Sequence, residues 1–104
     1  LIDLIQINQE MFSRRFKGSP IKRIKRRGLL RNVAVALGNS GNKQAIPILL
    51  KVLDDDEPLI RAHVVWALGE LAGPEVLPAI REKLNNECEK IVLTELERVV
   101  VRFV

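Results

Sequence analysis

The sequence predicts an all-α solenoid, and three observations carry that prediction. The chain repeats itself at a fixed offset of 31 residues. Apolar residues recur at helical spacing, and strand-like alternation is nowhere sustained. Proline and glycine stand where helices should begin and end. Of 104 residues, 47% are hydrophobic and 29% charged, a balance that supports a folded domain rather than a disordered chain. Aromatics are only 4%, so the core must be aliphatic.

The repeat is read directly. Val33-Ala34-Val35-Ala36-Leu37-Gly38 aligns with Val64-Val65-Trp66-Ala67-Leu68-Gly69. At the same offset Ala45-Ile46-Pro47 meets Val76-Leu77-Pro78, Leu53 meets Leu84, and Ile60 meets Ile91. A single period in this range is the mark of stacked helical units.

Each element follows in order. Residues 1–7 read as the tail of an apolar helix, and Leu1, Ile2, Leu4 and Ile5 are expected to form an exposed patch. Residues 8–17 read as a helix with Phe12 and Phe16 on one face and Gly18 as its stop. Ser19 and Pro20 suit the cap and first position of a basic helical stretch, in which Ile21 and Ile24 share one side. A helix over residues 27–38 follows, with Asn39 helping to end it. Ile46, Leu49, Leu50 and Leu53 give a helix over residues 44–53, with Pro47 in its first turn. Residues 54–57 form a turn in which an Asp caps the next helix. That helix, residues 58–71, is apolar nearly all round and therefore buried between neighbours. Gly73-Pro74 opens the last unit, with helices over residues 75–84 and 88–103. The organisation is one continuous domain: a basic partial repeat in residues 1–43, a full repeat in 44–73 and a capping repeat in 74–104.

Charge is unevenly placed. Nine basic residues and no acid lie between Arg14 and Arg31. From Asn32 onward there are eight basic and eleven acidic residues, a net of −3. The first third thus points to an anionic partner. Gly18 lets a phosphate approach the backbone, and Ser19 opens a helix whose free N–H groups favour an anion. Lys22, Arg23, Lys25, Arg26 and Arg27 spread over the arc opposite Ile21 and Ile24. Arg31 faces the phosphate or pairs with a turn Asp, the former being preferred, and Asn32 either satisfies a buried backbone group or reaches RNA. With no aromatic platform, positioning by phosphate contacts without base reading is expected. If about five phosphates are neutralised, the log–log salt slope should be about −4.

Other residues carry less. Trp66 is expected to pack in the core rather than stack on a base, and His63 to be packed or at the surface. Cys88 reads as an inert thiol, and Asp54-Asp55-Asp56-Glu57 as turn and cap, since a calcium loop's glycine and ligand spacing are missing. One Cys excludes a disulfide framework or an all-thiolate metal site here. No apolar run approaches the about 18 residues of a membrane span. The chain begins at Leu1 without a signal peptide, so a cytoplasmic piece of a longer protein is expected.

The residues Ile46-Pro47, Leu49-Leu50, Leu53, Asp55, Pro58, Ile60-Arg61-Ala62 and Ala67-Leu68-Gly69 resemble a HEAT-type repeat of the short, PBS-lyase-like kind. That resemblance implies a right-handed α–α superhelix and a ladder in which Asp55 and Arg61 link neighbouring repeats. The next unit offers Asn86 and Val92 instead, so the ladder is expected to stop there, as suits a cap. Upstream, Phe12, Phe16, Gly18-Ser19, Ile21 and Arg23, followed by residues 27–39, resemble the C-terminal HEAT-like region of bacterial epoxyqueuosine reductase. The resemblance implies a parent enzyme that reduces epoxyqueuosine to queuosine at the tRNA wobble position, using cobalamin and two [4Fe-4S] clusters. Those cofactors would belong to the parent's preceding domains, which would also be this chain's partners, and none to this fragment. This piece would be non-catalytic and would hold the tRNA anticodon stem-loop. A HEAT-type scaffold for an acidic protein is the main rival. A phycobilin-lyase relative is a weaker one, because it leaves the basic stretch unexplained.

Overall fold

The computed structural model describes residues 1–20 and 25–104. Six α-helices lie among the described residues: α1 (Gln9–Arg15), α2 (Lys25–Ser40), α3 (Ile46–Val52), α4 (Pro58–Leu71), α5 (Leu77–Asn86) and α6 (Lys90–Phe103). No strand occurs among them. The all-α repeat fold is as predicted. The second helices of successive units, α2, α4 and α6, pack side by side, while α3 rests on α4 and α5 on α6.

Local chemistry explains the helix ends. Asn8 caps α1, its Oδ1 accepting from the Met11 N–H at 2.8 Å. Gly18 follows with φ 75°, a left-handed conformation that costs glycine little. α2 runs two residues further at each end than predicted. It starts at Lys25, whose φ is 61°. Gly41, with φ 70°, stops it rather than Asn39, and Ser40 Oγ donates to the Leu37 carbonyl at 2.7 Å. The expected helical side shared by Ile21 and Ile24 lies outside the described residues. The first helix of each full unit opens with a 3₁₀ turn, Lys43–Ala45 or Pro74–Val76, and has Pro47 or Pro78 in its first turn.

Residues 1–7 depart from prediction. They hold a 3₁₀ turn at Leu4–Gln6, not a helix tail. Ile5 and Ile7 are buried, and Ile2 and Leu4 lean on the same core. Only Leu1 of the expected apolar patch stands in solvent. The segment packs against α2 and α3, which gives its side chains the partner surface they need.

The core is aliphatic, and Phe12 is the one fully buried aromatic side chain among the described residues. The central helix α4 buries Ile60, Ala62, Val64, Val65, Ala67, Leu68, Gly69 and Leu71. Leu59 and Trp66 complete its apolar circumference but stay half-buried. The repeated glycine has a packing reason. A methyl group on Gly38 would lie 2.5 Å from the Trp66 ring and 3.1 Å from the Ala67 Cα. At Gly69 the same methyl would meet only the Val99 side chain, at 3.0 Å. Both glycines let neighbouring second helices close together, but α2 and α4 have less slack. Replacing a helical glycine by alanine gains about 1 kcal/mol of propensity, while overpacking costs about 1–3 kcal/mol. Gly38→Ala is therefore expected to destabilise the fold by up to about 2 kcal/mol in chemical denaturation, whereas Gly69→Ala is expected to be near neutral.

Candidate nucleic-acid interface

The basic residues of the first third divide into two groups. Arg26 points inward from the first turn of α2. Its Nε donates to the Ile7 carbonyl at 2.7 Å, its Nη1 donates to Asp55 Oδ1 at 3.2 Å, and its Nη2 pairs with Asp55 Oδ2. The side chain is 13% exposed. Arg26 was expected to hold a phosphate. The structure instead gives three of its donors to the protein, so it acts in the fold.

The other described cations of this stretch face solvent. Lys25 is exposed and has no acidic partner among the described residues. Arg27 is 54% exposed and stands 3.8 Å from Glu57, too far for a hydrogen bond. Arg31 is exposed and donates from Nε to Asn32 Oδ1 at 3.3 Å, so it pairs with no turn Asp. Asn32 is exposed too, which removes the reading that it satisfies a buried backbone group. Gly18 is exposed, with open space where a side chain would point, and Ser19 is half-buried, its N–H donating to the Phe16 carbonyl at 2.9 Å. Lys22 and Arg23 lie outside the described residues.

The inward group forms a charged chain across the units. Asp55 receives Arg26 on its carboxylate, and its Oδ1 also accepts from the Glu57 N–H at 3.0 Å. This bond shapes the turn, while the N-cap of α4, Glu57, makes no side-chain capping bond. The Asp55 carbonyl accepts from Arg61 Nη1 at 2.7 Å. Arg61 then reaches the next unit, with Nε and Nη2 donating to the two oxygens of Glu87 at 2.8 and 3.0 Å. Glu87 Oε2 accepts from the N–H groups of Cys88 and Glu89, both at 3.1 Å. The ladder was expected to end at Asn86. It continues through Glu87, one position later, which does for its turn what Asp55 does for the preceding one.

Burial alone would raise the Glu87 pKa, but the hydrogen bonds from Arg61 and the two turn N–H groups outweigh it and hold the carboxyl below its usual 4.5. The bond to Glu87 in turn raises the Arg61 pKa against the opposing effect of burial.

A second feature escaped the sequence reading. Val35, Asn39, Ala62, His63, Trp66, Ile91 and Glu95 line a cavity of about 340 Å³ across α2, α4 and α6. Trp66 is half-buried there rather than sealed in the core. Apolarity of a helix does not reveal which of its members borders a groove.

Comparison with known proteins fits this architecture. The family of HEAT repeats matches residues 26–100. The chain belongs to the HEAT-repeat family. Within it, the chain is homologous to a segment of epoxyqueuosine reductases. It is 33% identical to the Yersinia pestis enzyme over 87 residues, 84% of this chain and 21% of that protein. It is 41% identical to the Xanthomonas campestris enzyme over 71 residues, 67% of this chain and 20% of that protein. A crystal structure of epoxyqueuosine reductase with an epoxyqueuosine-modified tRNA-Tyr stem loop superposes with a TM-score of 0.88 at 23% identity, over 96% of this chain and 27% of that one. The chain thus spans about a fifth of the length of the curated relatives it matches. Among the described residues, no HEAT helix is long and apolar enough to cross a membrane. Cys88 is a single exposed thiol, and no group of metal-ligating side chains is assembled among the described residues. One thiolate does not fit a [4Fe-4S] cluster, which takes four.

The Glu87 geometry sets a pH dependence. Its folded pKa is depressed, so its contribution is present above about 4.5, the usual value, and is lost as pH falls through the folded pKa. Thermal melts followed by circular dichroism should show stability falling from about pH 5 downward. Glu87→Gln is expected to flatten that acid limb and to lower Tm at neutral pH, because it leaves the Arg61 charge without its partner.

Proposed function

We propose that this chain is the tRNA-facing HEAT segment of an epoxyqueuosine reductase and that it positions the anticodon stem-loop through phosphate contacts. The observation that carries this is the exposed set Lys25, Arg27, Arg31 and Asn32 along the first two turns of α2. Homology to the reductases supports the identity of the parent, and the neighbouring structure solved with a tRNA stem loop supports the kind of ligand. Arginine can grip a phosphate with two parallel hydrogen bonds, and lysine acts as a mobile charge. Lys22 and Arg23, adjacent in sequence, would add two further charges, and Gly18 offers backbone to a phosphate.

In this reading the segment does no chemistry. The reduction belongs to the parent's other domains, where cobalamin and two [4Fe-4S] clusters would supply electrons, and the protein works in the cytoplasm with its tRNA. The segment's contribution is orientation. A substrate held in register converts a diffusional encounter into a local one.

The test is stem-loop RNA binding against salt, read by fluorescence anisotropy. Each phosphate neutralised contributes about −0.7 to −0.9 to the log–log slope. A Lys25/Arg27/Arg31→Ala variant should bind more weakly, with a slope shallower by about 2 and an unchanged Tm. Unaltered RNA binding by the folded variant would contradict the proposal and favour an acidic protein as the partner.

A further inference from the structure

The cavity between α2, α4 and α6 carries an inference beyond phosphate contact. Its apolar walls include Val35 and Ile91, both exposed large side chains at 36% and 47%, together with half-buried Trp66. Three such residues converging on one groove are not the scattered apolar exposure of an ordinary surface. Polar groups stand among them. His63 Nδ1 lies 2.8 Å from the Leu59 carbonyl. A carbonyl only accepts, so Nδ1 carries the proton of that bond, and an Nε2 without a proton is an acceptor. The Glu95 carboxylate receives Arg98 Nη1 at 3.0 and 3.3 Å. That contact balances its charge and leaves lone pairs free. Asn39 is exposed and brings both a donor and an acceptor.

The groove is continuous with the cationic stripe. Arg27, Arg31, Val35 and Asn39 are spaced four apart on α2, and all four are exposed. Each is about 6 Å along the axis and about 40° around it from the next, so the row winds slowly across α2 from Arg27 toward the groove. Arg31 stands one turn, about 6 Å, before Val35 in the groove wall. The volume of about 340 Å³ is at the lower end for small-ligand sites, room for one planar ring.

We propose that this groove receives a single unstacked nucleobase of the bound RNA, packed against Trp66 and preferring a base with an exocyclic amino group. His63 Nε2 and Glu95 would accept from that amino group, which uracil lacks. The inference rests on the RNA-binding reading above. It replaces the expectation of pure phosphate contact with one point of base contact.

Trp66 is the chain's single tryptophan, so its emission reports on the groove alone. Two stem-loop RNAs are titrated into the chain at low salt, one intact and one with abasic loop positions. Anisotropy of the labelled RNA reads binding, and Trp66 fluorescence reads base contact. Both RNAs should bind, but the intact one should bind about tenfold more tightly and alone quench Trp66. Glu95→Gln should narrow the preference for cytosine or adenine loops over uridine loops while leaving Tm in place. Equal binding of both RNAs with unchanged Trp66 emission would overturn the base site and leave the phosphate reading standing. Absence of binding by either RNA to the folded chain would overturn both.

Discussion

The turns of the three units are held in register by four charged side chains. Arg26 of the first unit grips Asp55, the Asp55 carbonyl receives Arg61, and Arg61 closes on Glu87 of the last. Aliphatic packing supplies cohesion, but it is non-directional and would tolerate sliding of one helical layer over another. The charged chain does not tolerate it. Each guanidinium is nearly buried, and a shift of one residue would strand a charge without its partner, which costs several kcal/mol. At the other end of the second helices, the glycines at 38 and 69 allow close packing against Trp66 and Val99.

This constraint also decides which cations are free for a ligand. Arg26 and Arg27 are adjacent in sequence, yet about 100° apart around the helix. One turns toward Ile7 and Asp55, the other toward solvent. The protein therefore anchors α2 with one arginine and presents Lys25, Arg27 and Arg31 on the outside. Because the anchor fixes the rotation of α2, it also fixes the stripe that runs from Arg27 through Arg31 to the groove at Val35 and Asn39. Register inside the protein and the spacing of charge outside it are two consequences of one contact.

Much of this was legible in the residues. The 31-residue offset, the prolines at helix starts and the apolar spacing led to the right fold and to nearly all helix positions. The misses have physical causes. At a strict offset of 31 the ladder position after Asp55 is Asn86, but α6 starts 90 − 58 = 32 residues after α4, so the turn carboxylate falls one place later, at Glu87. Residues 1–7 look like an unpartnered patch in the sequence because their partner surface on α2 and α3 is distant along the chain. Arg26 looked like its neighbours because a run of cations does not state which one meets a distant carboxylate. Trp66 packs against the core as its type predicts, yet it is half-buried and also borders the groove, which residue type alone does not state.

The division of labour between Arg26 and its exposed neighbours is the claim from which the rest follows. A side-by-side measurement of unfolding free energy and stem-loop RNA affinity for Arg26→Ala and Arg31→Ala tests it directly. The two variants should cross over. Arg26→Ala should lose about 3 kcal/mol of stability yet bind RNA nearly as well as the parent chain at temperatures where it is folded. Arg31→Ala should keep its stability within about 0.5 kcal/mol and lose severalfold in affinity. An Arg26→Ala protein of undiminished stability that binds RNA weakly would contradict it.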